Sequence, residues 1–306
     1  MKKDFISLMD YSGQEILDLI ALAKELKADN KAGRKHHILD GKTLGMIFTK
    51  SSTRTRVSFE VGMYQLGGQA LFLSSNDIQL GRGESIYDTA NVLSRFLDGI
   101  MIRTYKHSDV TELAKNAAIP VINGLTDLLH PCQVLADLLT ISEYKGDLKG
   151  KKLCYVGDGN NMAHSLLYGC TKVGMDISVA TPDKYKCDET VMSNALKIAA
   201  ETGSKVEFTN NPKQAMENAD AVYTDTWVSM GMEAEKQQRI KDFAGFEVNR
   251  ELMDIAKPDA MFLHCLPAYR GYEVSADVID GKQSAIFDEA ENRLHAQKAV
   301  MATLMK

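Results

Sequence analysis

Apolar residues recur along the chain in two alternating forms: short unbroken runs, and longer stretches in which they return every three or four positions. Residues 12–29 carry Ile16, Leu17, Leu19, Ile20, Leu22, Ala23 and Leu26 on one side. Ser12 stands three residues before Glu15, so this stretch predicts an amphipathic helix opened by a capping box. Residues 44–48 predict a strand, and Val57, Phe59, Val61, Met63, Tyr64 and Leu66 predict a helix behind it. Strands follow at 69–73, 99–103 and 120–124, with a helix over 86–96 and an apolar helix over 134–144. The polar, glycine-bearing segment 145–150 interrupts the rhythm and reads as a boundary. Beyond it strands fall at 152–156, 176–182, 205–208, 221–224 and 261–267, with helices running on to Tyr168, from about Asp188 to Thr202, and from Glu289 to Met305. Strands alternating with helices predict an α/β fold in two domains, each a parallel sheet flanked by helices. The last helix is the natural element to fold back onto the first domain.

Composition narrows the function classes. The 306 residues suffice for two domains, and 44% hydrophobic content can fill two cores. A net charge of -5 argues against a nucleic-acid partner, which demands a basic face. Cys132, Cys154, Cys170, Cys187 and Cys265 are an odd number without a C-x-x-C pair, which fits a reducing compartment better than a disulfide framework or a zinc cage. No stretch approaches the roughly 20 apolar residues of a membrane span. The amino terminus has neither a signal-peptide core nor an arginine-rich transit segment, so the expected location is the cytoplasm.

Candidate chemistry sits where predicted strands meet predicted helices. Ser51, Ser52, Thr53, Arg54, Thr55 and Arg56 fill the first such junction, where unpaired backbone N–H groups and the positive helix end favour an anion. Arginine adds a fork for phosphate, and Ser and Thr add short neutral donors. An N-capping hydroxyl beside solvent-facing arginines is the plainer reading. Arg103 ends the third strand, and His130, Pro131, Cys132 and Gln133 open the apolar helix at 134–144. Ligands of open α/β sheets bind outside the carboxyl ends of strands, where Arg54, Arg103 and His130 all fall. Gln79 begins the glycine-bearing loop 79–85, which suits a substrate-covering loop or a plain surface one. Gly157-Asp158-Gly159-Asn160-Asn161-Met162 invites comparison with a dinucleotide turn. Met162 stands where a small third residue is needed, and no acidic residue closes the next strand, so a nicotinamide cofactor is disfavoured. Asn161 could bond a polar ligand or serve only the turn. Asp225, at a strand end, could pair an ammonium or cap a helix. His264 next to Cys265 suggests thiol or metal chemistry, but metal-ligand spacing is missing and no metal is expected. Arg293 lies on the last helix.

Taken together, Ser52-Thr53-Arg54-Thr55-Arg56, His130-Pro131-Cys132-Gln133, Asp225 with Ser229-Met230-Gly231, and His264-Cys265-Leu266-Pro267 resemble the aspartate/ornithine carbamoyltransferase family over essentially the whole chain. The first two motifs are common to both branches and imply carbamoyl phosphate. The last two resemble the ornithine branch. The resemblance implies domains at 1–146 for carbamoyl phosphate and 147–288 for ornithine, with residues 289–306 returning to the first. It implies that Ser52, Thr53, Arg54, Thr55, Gln79, Arg103, His130, Pro131, Cys132, Gln133, Cys265, Leu266 and Arg293 contact carbamoyl phosphate. Asn161, Asp225, Ser229 and Met230 would hold ornithine, and Arg103, His130, Gln133 and Cys265 would serve catalysis. It further implies a homotrimer whose Gln79 loop is shared between subunits, a cis Leu266-Pro267 bond, and no cofactor. Met162, His164 and Tyr269 depart from the family pattern. The implied reaction is carbamoyl transfer to the δ-amine of L-ornithine, giving citrulline and phosphate, in arginine biosynthesis or degradation. The alternatives are transfer to putrescine or N-acetylornithine, an oxidoreductase built on the Gly157–Gly159 turn, and a non-catalytic paralogue.

Overall fold

The computed structural model describes residues 3–79, 83–229 and 232–306. The chain divides into two compact units, Met1–Leu139 with Glu291–Lys306, and Thr140–Ala290. The first contains α1 (Gly13–Lys31), β1 (Thr43–Phe48), α2 (Thr53–Gln65), β2 (Gln69–Ser74), α3 (Ile86–Leu93), β3 (Gly99–Arg103), α4 (His107–Asn116), β4 (Val121–Leu125) and the start of α5 (Pro131–Lys145). The second contains the rest of α5, then β5 (Lys152–Val156), α6 (Asn161–Lys172), β6 (Asp176–Ala180), α7 (Glu189–Thr202), β7 (Val206–Thr209), α8 (Pro212–Met216), β8 (Ala221–Thr224), α9 (Lys236–Asp242), α10 (Arg250–Met253), β9 (Met261–Leu263), α11 (Ala276–Ile279) and the start of α12 (Ile286–Met305). Among the described residues no helix is long and apolar enough to cross a membrane.

Both sheets are parallel, and their strand orders determine where a ligand can enter. The first runs β2-β1-β3-β4 and the second β7-β6-β5-β8-β9. In each the chain steps outward in one direction and then resumes on the opposite side of its starting strand. The reversal lies between β1 and β3 in the first sheet and between β5 and β8 in the second. At such a point the loops leaving the two strands diverge and open a crevice at their carboxyl ends. The loops there begin at Thr49 and Thr104 in one unit and at Gly157 and Asp225 in the other.

Local chemistry explains most element ends. Ser12 and Glu15 form the reciprocal capping box that opens α1. Strand β3 is buried along its whole length, and Ile47, Ile100, Ile102 and Val121 join one apolar cluster with Val110 and Leu113 of α4. Helix α12 packs back within the first unit. Lys27 of α1 donates to Asn292 Oδ1 at 2.8 Å, and Lys298 donates to Gln65 Oε1 of α2 at 3.0 Å. Several spans differ from the sequence expectation. The helix expected over 86–96 stops at Leu93, where the Ser94 hydroxyl bonds the Ala90 carbonyl at 2.6 Å. Strand β9 stops at Leu263 rather than running to 267, because the His264 N–H is taken by the Glu289 carboxylate at 2.9 Å. Helix α12 starts at Ile286, three residues ahead of the expected 289.

Candidate active site

In the first unit the β1–α2 junction forms as its sequence requires. Ser52 is the N-cap of α2, and its hydroxyl accepts the Thr55 N–H at 3.2 Å. This cap turns Thr53 and Arg54 into the first helical turn and buries Thr55. Arg103 at the end of β3 and Arg293 of α12 are 5% and 3% exposed, and both reach Thr55. Arg103 Nη1 and Arg293 Nη2 donate to Thr55 Oγ1 at 3.4 and 3.3 Å. Arg293 Nη1 also donates to Gln133 Oε1 at 2.6 Å, and Gln133 Nε2 donates to Asp137 Oδ1 at 2.9 Å. The Gln133 amide is therefore held at both ends, next to Pro131 and the buried Cys132, whose thiol donates to the Asn123 carbonyl at 3.4 Å. Arg56 is turned away. Its guanidinium lies 3.7 Å from the Phe72 ring centroid and bonds Glu60.

His130 reports the field of this cluster. Burial, then Arg293, Arg103, Lys50 and Arg54, hold its imidazole well below the ordinary histidine range. The charges of Arg293, Arg103, Lys50 and Arg54 all disfavour a further positive charge on His130, so its imidazole is neutral. The folded state resists protonating His130 while the unfolded chain takes up the proton near pH 6.5, so this contribution to stability is complete above that pH and is lost as pH falls below it. The slope for one such group is at most about 1.4 kcal/mol per pH unit. Urea midpoints measured from pH 7 to 5 are therefore expected to fall less steeply in His130→Gln than in the parent. His295, lowered to about 4 by burial and Lys298, supplies the same sign of slope in both proteins.

In the second unit the turn after β5 is shaped by two glycines. Gly157 adopts φ 151°. A Cβ on Gly159 would lie 2.3 Å from Cys187 N and 2.6 Å from the Tyr185 carbonyl. The close approach that this glycine permits is therefore made by the protein's own backbone, where a dinucleotide-binding turn would receive a pyrophosphate. Gly159→Ala forces backbone apart, and a loss of about 2 to 3 kcal/mol in a denaturant melt is expected. Asn160, which the sequence reading passed over for Asn161, organises the turn. Its Oδ1 caps α6 through the Met162 and Ala163 N–H groups, and its Nδ2 donates to Asp225 Oδ2 at 2.9 Å. Asn161 is the first helical residue.

Asp225 gathers the rest of this half. Its Oδ1 accepts the Thr226 N–H at 2.7 Å and the Cys265 thiol at 3.1 Å. His264 Nδ1 accepts the Leu266 N–H at 2.9 Å, so the ring proton is on Nε2, directed at Glu273 Oε1 at 3.3 Å. The Leu266-Pro267 bond is cis. Asp225, His264 and Cys265 offer ligand atoms within 4.8 Å of one another, but both imidazole nitrogens already face protein partners. Arg239 of α9 was invisible in the sequence. It donates to Asp158 Oδ2 at 2.8 Å and to the Trp227 carbonyl at 3.0 Å, tying the glycine turn to the loop after β8. The departure at 164 is packing: His164 Nε2 accepts the Asp188 N–H at 3.0 Å. Ser229 is half-buried, Gln79 is exposed, and Met230 and residues 80–82 lie outside the described residues.

Two family models match these halves. One, described as the carbamoyl-P binding domain of aspartate/ornithine carbamoyltransferase, matches residues 3–143. The other, the Asp/Orn binding domain of the same family, matches residues 149–304. The chain belongs to the aspartate/ornithine carbamoyltransferase family. Within that family it is 60% identical over 303 residues to the ornithine carbamoyltransferase of Oceanobacillus iheyensis, covering 99% of this chain and 94% of that protein. It is 57% identical to the one from Pyrococcus abyssi, covering 99% and 96%. Among solved structures, the ornithine carbamoyltransferase of Pyrococcus furiosus superposes with a TM-score of 0.97 at 56% identity, over 99% of this chain and 97% of that one. The anabolic enzyme of Campylobacter jejuni gives 0.93 at 45% identity, covering 99% and 98%. Arg54, Arg103 and His130 fall within the first matched range, and Asp225 and Cys265 within the second. Arg293 falls within the second matched range yet belongs to the first compact unit.

Proposed function

We propose that this chain transfers the carbamoyl group of carbamoyl phosphate to the δ-amine of L-ornithine, giving citrulline and phosphate. The observation that carries this reading is the meeting of two buried guanidiniums, Arg103 and Arg293, on Thr55 Oγ1 in the first turn of α2, positive charges at a helix amino end that call for an anion. The phosphate is held by Ser52, Thr53, Arg54 and Thr55 at the α2 amino end, with Gln79, Arg103, Pro131, Cys132 and Arg293 around carbamoyl phosphate. Arg103, neutral His130 and Gln133 donate toward the carbamoyl oxygen, which gains charge as the amine attacks. A neutral imidazole polarises that oxygen without surrendering a proton outright. Ornithine is held through its α-amino and α-carboxylate groups by Asn161, Asp225, Ser229 and the Met230 backbone. Cys265 and Leu266 lie beside its side-chain amine, and they touch the carbamoyl group as well. The attacking amine must be neutral, since an ammonium has no lone pair. The departing phosphate is the natural acceptor for the proton that the tetrahedral intermediate sheds. No cofactor enters this route.

The active assembly in this reading is a homotrimer that shares the Gln79 loop between subunits. Its support is an apolar face: Val57, Val61 and Tyr64 form a stripe on α2 with exposures of 52%, 36% and 80%, beside Leu71 and Phe72 on the edge strand β2 at 39% and 37%. Tyr64→Glu is expected to convert a trimer to monomers in light scattering and to reduce turnover with it. The free cysteines fit a cytoplasmic enzyme of arginine metabolism. The reading is tested by offering ornithine, putrescine, N-acetylornithine and L-aspartate separately with carbamoyl phosphate and measuring ureido product. Strong preference for ornithine supports it. Preference for another amine overturns the role given to Asp225 and Ser229 while leaving the phosphate site in place.

A further inference from the structure

The second unit holds a cavity of about 140 Å³, lined by the loop after β8, by α9 and by the turn that follows Leu266-Pro267. Most of its lining is apolar or aromatic, from Trp227, Val228, Ile240, Tyr269 and Tyr272. None of these residues belongs to the substrate contacts proposed above. Two charged groups share the lining. Glu273 is 1% exposed, and its Oε1 accepts both the Tyr269 N–H at 2.5 Å and His264 Nε2–H at 3.3 Å. Its Oε2 has no hydrogen-bond partner among the described residues. Lys236 is half-buried, with its amine 5.3 Å from the Tyr272 ring centroid, and it makes no ion pair among the described residues. A buried carboxylate with an unused oxygen carries a cost that a donor removes. Water alone would satisfy Glu273 but would stand against apolar walls, which an apolar side chain covers better.

We propose that this cavity is a second amino-acid site, which takes an α-amino acid with a large apolar side chain. A cation and a carboxylate that line one cavity without pairing with each other leave room for a molecule that carries both charges. The α-ammonium meets Glu273 Oε2, the α-carboxylate meets Lys236, and the side chain lies against Trp227 and the two tyrosines. Trp227 is a firm wall for it. The indole is 5% exposed and stacks on Phe243 with the ring centroids 5.3 Å apart. Ornithine is a poor fit here, because its second ammonium would enter the apolar part of the cavity unpaired.

Trp227 is the single tryptophan of the chain, so emission excited in the indole band reports this cavity directly. L-Phenylalanine is expected to change that emission saturably, with a Kd below about 5 mM. Phenethylamine, which lacks the carboxylate, and hydrocinnamate, which lacks the ammonium, should each bind at least about tenfold more weakly. Lys236→Met should weaken phenylalanine at least about fivefold and leave phenethylamine within about twofold of the parent. Glu273→Gln should weaken phenylalanine and spare hydrocinnamate. Glu273 also holds Tyr269 and His264, so if that variant fails to fold, Lys236→Met decides alone. Asp225→Asn should bind phenylalanine within about twofold of the parent, since the cavity is distinct from the ornithine contacts. Four results overturn the proposal: no saturable change with phenylalanine, equal affinity for phenethylamine, an affinity untouched by Lys236→Met, or a loss confined to Asp225→Asn. The last would place phenylalanine on the ornithine contacts instead.

Discussion

Arg54→Ala is expected to lower kcat/KM for carbamoyl phosphate by roughly a thousandfold, about 4 kcal/mol of transition-state stabilisation. Arg54 sits in the first turn of α2, where its guanidinium adds a directed fork to the backbone N–H groups and the helix dipole. The hydroxyls of Ser52 and Thr53 remain in the variant, but they bring no charge. Arg54 is only half-buried, so the variant should fold, and a circular dichroism melt within a few degrees of the parent would show it. Arg54→Lys restores a point charge without the fork and should recover part of the loss. Steady-state kinetics with ornithine saturating measures the effect directly. Wild-type turnover and affinity in Arg54→Ala would remove the phosphate from this junction.

The second large effect falls on the other substrate. Asp225→Asn should reduce kcat/KM for ornithine by roughly a hundredfold to a thousandfold, about 3 to 4 kcal/mol, with the affinity for carbamoyl phosphate changed by less than about threefold. One carboxylate oxygen accepts from Asn160 Nδ2, and the other accepts from the Thr226 N–H and the Cys265 thiol. An amide puts its NH2 against one of these donors, so a buried contact turns repulsive as the negative charge that meets the ammonium is lost. Equal losses for both substrates would mean that Asp225 serves the fold rather than ornithine.

The strands and the β1–α2 junction were legible because their signals are local. The run that became β1 is followed by a capping Ser and helical spacing, Arg103 closes an apolar strand, and His130 stands just ahead of an apolar helix. The parts that were missed depend on distant partners. Helix α4 has no side-chain cap at Lys106, and its first N–H is taken by Asp127, 20 residues on. The end of β9 depends on Glu289, 25 residues away. Asn160 and Asn161 are indistinguishable as neighbours in a sequence; the cap that Asn160 places on α6 and its bond to Asp225, 65 residues later, give it a task of its own. Arg239 belongs to a short helix without a strong apolar stripe, and its importance lies in the two loops that it joins. The second glycine of the turn was read against a nucleotide, and its actual neighbour is the backbone at residues 185–187.

The most direct measurement of the central claim is the stoichiometry of one reaction. Purified protein is given carbamoyl phosphate and L-ornithine, and citrulline and inorganic phosphate are followed in the same samples. The account predicts one citrulline for each enzyme-dependent phosphate released, and little phosphate release when ornithine is omitted. Phosphate released without a matching ureido product would show that the anion site serves hydrolysis or another acceptor, and would contradict the assignment of the second unit to ornithine.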